Sequence, residues 1–120
     1  CFTHIKDASE AFTAILENPG GHNEIFNVGN PDTNITMEGL AKMMQRLYGE
    51  VTGTTPKNEI IVIDGEDFYG KGYEDMDRVP PNVDKLMALD WKPTRGNEQI
   101  FGEAIKYYVG RPDLVAKIMS

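Results

Sequence analysis

An α/β unit, mostly helical with two or more short strands, is the fold class that the sequence predicts. Three observations carry this expectation. Apolar residues recur at helical spacing in several stretches, two short β-type runs interrupt them, and clusters of Gly, Pro and Asn punctuate the boundaries.

From Ile5, the positions Ile5, Ala8, Phe12, Ile15 and Leu16 repeat at helical spacing until Pro19-Gly20-Gly21 ends the pattern, giving a first helix packed on one face. Glu24-Ile25-Phe26-Asn27-Val28-Gly29 is too short for a helix, is bounded by Asn30-Pro31-Asp32, and reads as a buried strand. Thr36 is placed to cap a second helix, Glu38 suits its positive dipole end, and Met37, Leu40, Met43, Met44 and Leu47 form its core stripe until Gly49 stops it. The run Ile60-Ile61-Val62-Ile63, within Asn58 to Asp64, reads as a second strand. Asn82 can cap a short third helix with Val83, Leu86, Met87 and Leu89 inward, closed by Trp91-Lys92-Pro93. Ile100, Phe101, Ala104, Ile105 and Tyr108 make a fourth stripe from about Asn97 to Val109, ended by Gly110-Arg111-Pro112, and Leu114, Val115 and Ile118 allow a last short helix. Two short strands do not make a stable sheet unaided, and the sequence starts at Cys1 without Met, inside an amphipathic element; both lead us to expect part of a longer protein.

Nineteen acidic residues against twelve basic ones give a net charge of -7 over 120 residues, which argues against nucleic acid or an anionic membrane as partner. One cysteine excludes an internal disulfide, and His4 and His22, far from each other, form no metal-ligand spacing. Both histidines read as solvent-facing or hydrogen-bonding residues. No apolar stretch approaches a membrane span, no signal core opens the sequence, and a reducing cytoplasm is the expected location.

The segment Phe68 to Pro81 is the part that carries chemistry. Gly70 and Gly72 permit unusual backbone angles, Tyr69 and Tyr73 offer flat faces with hydroxyl tips, Lys71 and Arg78 supply positive charge, and Pro80-Pro81 stiffens the exit. Asp64, Glu66, Asp67, Glu74, Asp75 and Asp77 crowd the same region and read as a solvated face. An arginine beside tyrosines suits a phosphate or carboxylate held by the guanidinium fork while a ring contacts a base or sugar. No glycine-rich dinucleotide turn, phosphate loop or nucleophile motif accompanies it.

That loop, followed by Leu89-Asp90-Trp91-Lys92-Pro93, resembles the carboxyl-terminal part of extended short-chain dehydrogenases/reductases, the NAD-dependent epimerase/dehydratase superfamily. Cys1-Phe2-Thr3-His4-Ile5-Lys6-Asp7 is similar to that family's Arg-x-Phe-x-x-Val-x-Asp segment, Phe26 to Asn30 to its Tyr-Asn-x-Gly strand, and Thr36 to Leu40 to the helix start that follows. The form Tyr69-Gly-Lys-Gly-Tyr-Glu-Asp75 is most similar to UDP-glucuronic acid decarboxylases of the bifunctional polymyxin-resistance type, and UDP-apiose/UDP-xylose synthases share a similar loop.

The resemblance implies that residues 1–120 form the C-terminal substrate-binding portion of a Rossmann-type enzyme, without its dinucleotide-binding part. It implies NAD, bound by that other part, and a UDP-sugar substrate whose 4-hydroxyl is oxidised so that the carboxylate leaves as carbon dioxide. In the polymyxin-type enzymes the 4-keto pentose leads to aminoarabinose on lipid A. Carried over residue by residue, Tyr73 matches a tyrosine that contacts the UDP-sugar and Arg78 an active-site arginine assigned as proton donor, while Tyr69 and Lys71 are further candidates for substrate contact. A guanidinium with a pKa above about 12 is a poor acid, so an electrostatic role for Arg78 is the safer one. The catalytic Tyr-x-x-x-Lys and its Ser/Thr partner would lie upstream, so this portion alone is expected to be inactive, and any homo-oligomer would form through the upstream part. The alternatives are a UDP-apiose/UDP-xylose synthase or a nucleotide-sugar epimerase or dehydratase, and a stand-alone, non-catalytic UDP-sugar-binding module.

Overall fold

The computed structural model describes residues 1–74 and 79–120. Its regular elements are helices: α1 Ile5–Glu17, α2 Met37–Thr52, α3 Gly65–Tyr69, α4 Asp84–Met87, α5 Asn97–Val109 and α6 Pro112–Met119, with single 3-10 turns at Pro19–Gly21 and Pro31–Thr33. No strand occurs among the described residues, which overturns the α/β expectation and the Rossmann-type sheet implied with it. The physical reason is that β-propensity makes a strand only where a neighbour completes the hydrogen-bond ladder. The two β-type runs do not pair with each other. Ile25 is 88% exposed while Phe26 and Val28 lean on the core, and Ile61 and Val62 are exposed.

The helices follow their local signals closely. Thr36 caps α2 by accepting from the Gly39 amide at 2.9 Å, as expected. The helix nevertheless runs past Gly49, because one glycine costs only about 1 kcal/mol in a helix interior. It ends where Gly53 adopts the left-handed conformation, φ 68°, that a side chain resists. Asn82 accepts from the Asp84 amide but stands one position before the N-cap of α4, Val83, which has no side-chain cap. Short α3 takes in Phe68 and Tyr69 at the root of the Gly-Tyr loop; its start is marked by Asp64, whose carboxylate accepts from the Glu66 amide, and by acids in the first turn.

Ala11, Val83, Leu86 and Trp91 form the main core, with Ala14, Ile15, Phe26, Val28 and Leu89 against it. It joins α1, through Ala11, Ala14 and Ile15, to Leu86 of α4. Ile5, Phe12 and Leu16 of the expected α1 stripe are exposed, as are Met37 and Met44 of α2 and Met87 of α4. A second contact packs α2 on α5, where Leu47 and Ile105 are buried and the Arg46 guanidinium bonds Glu98. The rings of Phe2 and Phe101 meet edge to face at 4.9 Å, tying α5 to the amino end. The radius of gyration, 18.1 Å, is well above the ~14 Å of a compact domain of this length, in keeping with this exposed apolar surface.

A buried polar network joins these parts. The Asp7 carboxylate, fully buried, accepts from the Thr94 and Arg95 amides at 3.3 and 3.0 Å, from the Thr94 hydroxyl and from the Arg95 guanidinium. The Asp7 carbonyl accepts from the Trp91 indole at 2.9 Å. Thr33 donates its hydroxyl to the Phe2 and Asn30 carbonyls and accepts from the Phe2 amide. The Asn30 amide group reaches the Arg95 carbonyl at 3.0 Å, and Asn97 reaches the Thr33 carbonyl. His4, buried, accepts at Nδ1 from the Lys6 amide, so its Nε2 carries the proton toward Glu103 at 2.9 Å.

Burial works to raise the Asp7 pKa, but the Arg95 and Thr94 hydrogen bonds and the Arg95 charge outweigh it and hold the carboxyl below its ordinary 3.8. A depressed carboxyl stabilises the fold fully above its unfolded value and loses that contribution as the pH falls through the lower folded value. Asp7→Ala should therefore cost about 3 kcal/mol in urea unfolding at pH 7, since it strands two backbone donors. Between about pH 4 and pH 2 the variant should lose less stability than the wild type; parallel acid limbs would remove Asp7 from this role.

Candidate functional site

The Gly-Tyr loop begins on α3, and its aromatic residues are brought together by that short helix. Tyr69 ends α3, Gly70 follows with φ 100° and ψ 169°, and the chain turns so that the Tyr73 amide bonds the Gly70 carbonyl at 3.3 Å. A side chain at Gly70 would be strained in that region of backbone space. The turn stacks the Tyr73 ring on the Tyr69 ring, centroids 4.6 Å apart and planes at 27°, while Phe68 meets Tyr69 edge-on at 4.9 Å. Tyr73 is 40% exposed and Tyr69 68%, so this aromatic platform is open to a ligand.

Gly65 makes the platform sterically feasible. A Cβ built there would lie 2.8 Å from the Tyr73 ring carbons Cδ1 and Cε1, closer than atoms in contact can come. Neither Gly65 nor α3 was singled out from the sequence. The readable signal was Asp64-Gly65-Glu66-Asp67, a capping residue followed by acids suited to the first helical turn.

Lys71 is exposed in the turn between the two tyrosines. The structure thus brings Tyr69, Lys71 and Tyr73 into one turn. Arg78, with Asp75 and Asp77, lies outside the described residues. Of the neighbouring acids, Asp64 caps α3 and Glu66 accepts from the Gly72 amide, while Asp67 and Glu74 are exposed. The expected solvated face therefore holds in part, since two of its carboxylates have local structural tasks.

Among the described residues no group of His, Cys, Asp and Glu is placed to hold a metal ion, and no helix is long and apolar enough to cross a membrane. Nor do they offer the glycine-rich strand-to-helix turn that would cradle a dinucleotide; NAD does not fit these residues. An apolar groove of 720 Å³ lies between α2, α5 and α6, lined by Met44, Tyr48, Phe101, Ile105, Tyr108 and Val115 among others, and it shares no residue with the loop. The sequence reading also missed the His4–Glu103 and Asp7–Arg95 pairs, which are structural. Glu103 is held below its ordinary pKa by hydrogen bonds from Gln99 and His4.

No protein-family model matches the chain. Over 109 residues, 88% of its length, it is 38% identical to a UDP-D-apiose/UDP-D-xylose synthase of Oryza sativa subsp. japonica. The chain is similar to part of a nucleotide-sugar enzyme. Two UDP-D-apiose/UDP-D-xylose synthases of Arabidopsis thaliana agree: synthase 2 is 41% identical over 77% of the chain and synthase 1 is 32% identical over 92%. The chain spans 27%, 24% and 32% of the length of these three relatives.

The aromatic platform leads to a direct structural test. Gly65→Ala should push the Tyr73 ring off Tyr69 and abolish their mutual ring-current shifts in NMR spectra, with α1 and α5 resonances unmoved. Unchanged tyrosine shifts would show that the close approach at Gly65 does not set the platform.

Proposed function

We propose that this chain is the substrate-binding portion of an NAD-dependent nucleotide-sugar enzyme whose reaction is the oxidative decarboxylation of UDP-glucuronic acid to a UDP-4-keto-pentose. The observation that carries this reading is the similarity to UDP-D-apiose/UDP-D-xylose synthases over most of the chain, including one relative aligned over 92% of it. The open platform of Tyr69 and Tyr73 beside Lys71 supports it, because a nucleotide sugar offers flat faces for the rings and negative charge for the lysine.

The redox step, removal of hydride from the sugar 4-hydroxyl carbon, is the chemistry that NAD supplies when bound, and it belongs outside these residues. What this portion contributes is grip and charge. The Tyr73 ring holds the nucleotide sugar, Lys71 adds positive charge at the turn, and the Arg78 guanidinium holds the carboxylate or diphosphate and stabilises the negative charge that develops as the carboxylate leaves. Arginine stays charged at neutral pH, so this effect needs no proton transfer from it. The names of the relatives favour a second reading, in which the same decarboxylation continues to UDP-apiose and UDP-xylose.

The test uses the full-length protein with UDP-glucuronic acid and NAD. Arg78→Ala should lower substrate-dependent NADH formation about a hundredfold with unchanged thermal unfolding, as expected for loss of a group that stabilises developing charge. Turnover near the wild-type rate would remove that role, and release of UDP-xylose without net NADH would favour the second reading.

A further inference from the structure

The exit of the Gly-Tyr loop is seated in a way that its sequence does not advertise. Pro81 stands three positions after Arg78 and is half-buried. Its ring lies against Gly29, which is buried: a Cβ built on Gly29 would come 2.7 Å from Pro81 Cγ and 3.4 Å from its Cβ. One residue further, the Asn82 carbonyl accepts from the Asn27 side-chain amide at 3.2 Å.

The coil that provides this seat is itself held on both sides. Lys85 donates to the Ile25 carbonyl at 3.0 Å, pairs with Glu24 at 2.5 Å and lies over the Phe26 ring. Asn30 is buried and bonds the Arg95 carbonyl, which connects the coil to the Asp7 network. Residues 24–30 failed to become a strand, yet they are fixed closely enough to serve as a jig for another segment.

We propose that Gly29 and Asn27 are positioning residues for the substrate loop: Gly29 is the socket for the Pro81 ring, and Asn27 ties down the peptide that follows, so that the exit of the loop is held at one place on the coil. This rests on the reading of the loop as a UDP-sugar grip. A small error in placing the groups that grip a substrate is enough to lose much of their effect, which is why an anchored exit matters to the loop.

The experiment compares the full-length protein with Gly29→Ala, Asn27→Ala and the double variant Gly29→Ala/Pro81→Ala. In the double variant the added methyl takes room that the lost ring carbon gives up. Without ligand, trypsin cleavage after Lys71 or Arg78 should run about fivefold faster in Gly29→Ala and Asn27→Ala, because the freed exit opens more often. It should return most of the way to the wild-type rate in the double variant. With UDP-glucuronic acid, the dissociation constant of the folded protein should rise about tenfold in both single variants and recover in the double one.

A merely structural role would lower stability without changing the affinity of the folded fraction, and that result would overturn the proposal. So would wild-type cleavage rates in Asn27→Ala, a surface change that does not disturb the core and serves if Gly29→Ala does not fold. Should the wild-type protein fail to bind UDP-glucuronic acid, the functional reading falls, and the cleavage rates alone decide whether the seat positions the loop.

Discussion

The buried carboxylate of Asp7 is the constraint on which the arrangement depends. A charge out of water is tolerable only where donors surround it, and here the donors come from a different part of the sequence: the Thr94 and Arg95 amides, the Thr94 hydroxyl and the Arg95 guanidinium. The pairing fixes α1 against the link between α4 and α5 across more than 80 residues of sequence, with the Trp91 indole bonded to the same residue's carbonyl. Arg95 then extends the clamp outward, to Glu10 by its side chain and to Asn30 by its carbonyl. Such a pair is a specifier of geometry more than a source of net stability, because its Coulomb gain is spent largely on desolvation.

Specification matters in this chain because its apolar core is small. Ala11, Val83, Leu86 and Trp91 make a cluster that could be packed in several ways, while directional hydrogen bonds at Asp7, Asn30, Thr33 and Asn97 admit one. The network also connects to the loop. Asn30 belongs to the coil whose Gly29 receives Pro81, so the clamp at Asp7 and the exit of the Gly-Tyr loop share one short stretch of backbone. The entry of the loop is independent, set by the Asp64 cap and the room that Gly65 leaves for Tyr73.

Local signals were legible and partnerships were not. The Thr36 cap, the bounds of α5 and the Asn82 turn could be read from single side chains because each acts on neighbouring amides. The two β-type runs misled, since Val and Ile make an extended chain but cannot supply the second strand. Exposure of Ile5, Phe12 and Leu16 was equally unreadable: helical period identifies an apolar face, not what covers it. In the loop, the tyrosines were picked from their chemistry, whereas their stacking depends on a positive φ at Gly70 and on bare space at Gly65. Asp7 was visible only as a landmark, because Arg95 is 88 positions away in the sequence.

The proposed function requires that this portion grip a UDP-sugar whose carboxylate is lost during turnover. Labelled carbon dioxide released from UDP-glucuronic acid carrying carbon-13 in its carboxylate, by the full-length protein supplied with NAD, measures that claim without reference to the later fate of the pentose. Release should keep step with substrate consumption and should fall in Arg78→Lys, where the charge remains but the planar fork is gone. Consumption of UDP-glucuronic acid with the label retained in the nucleotide sugar would contradict it.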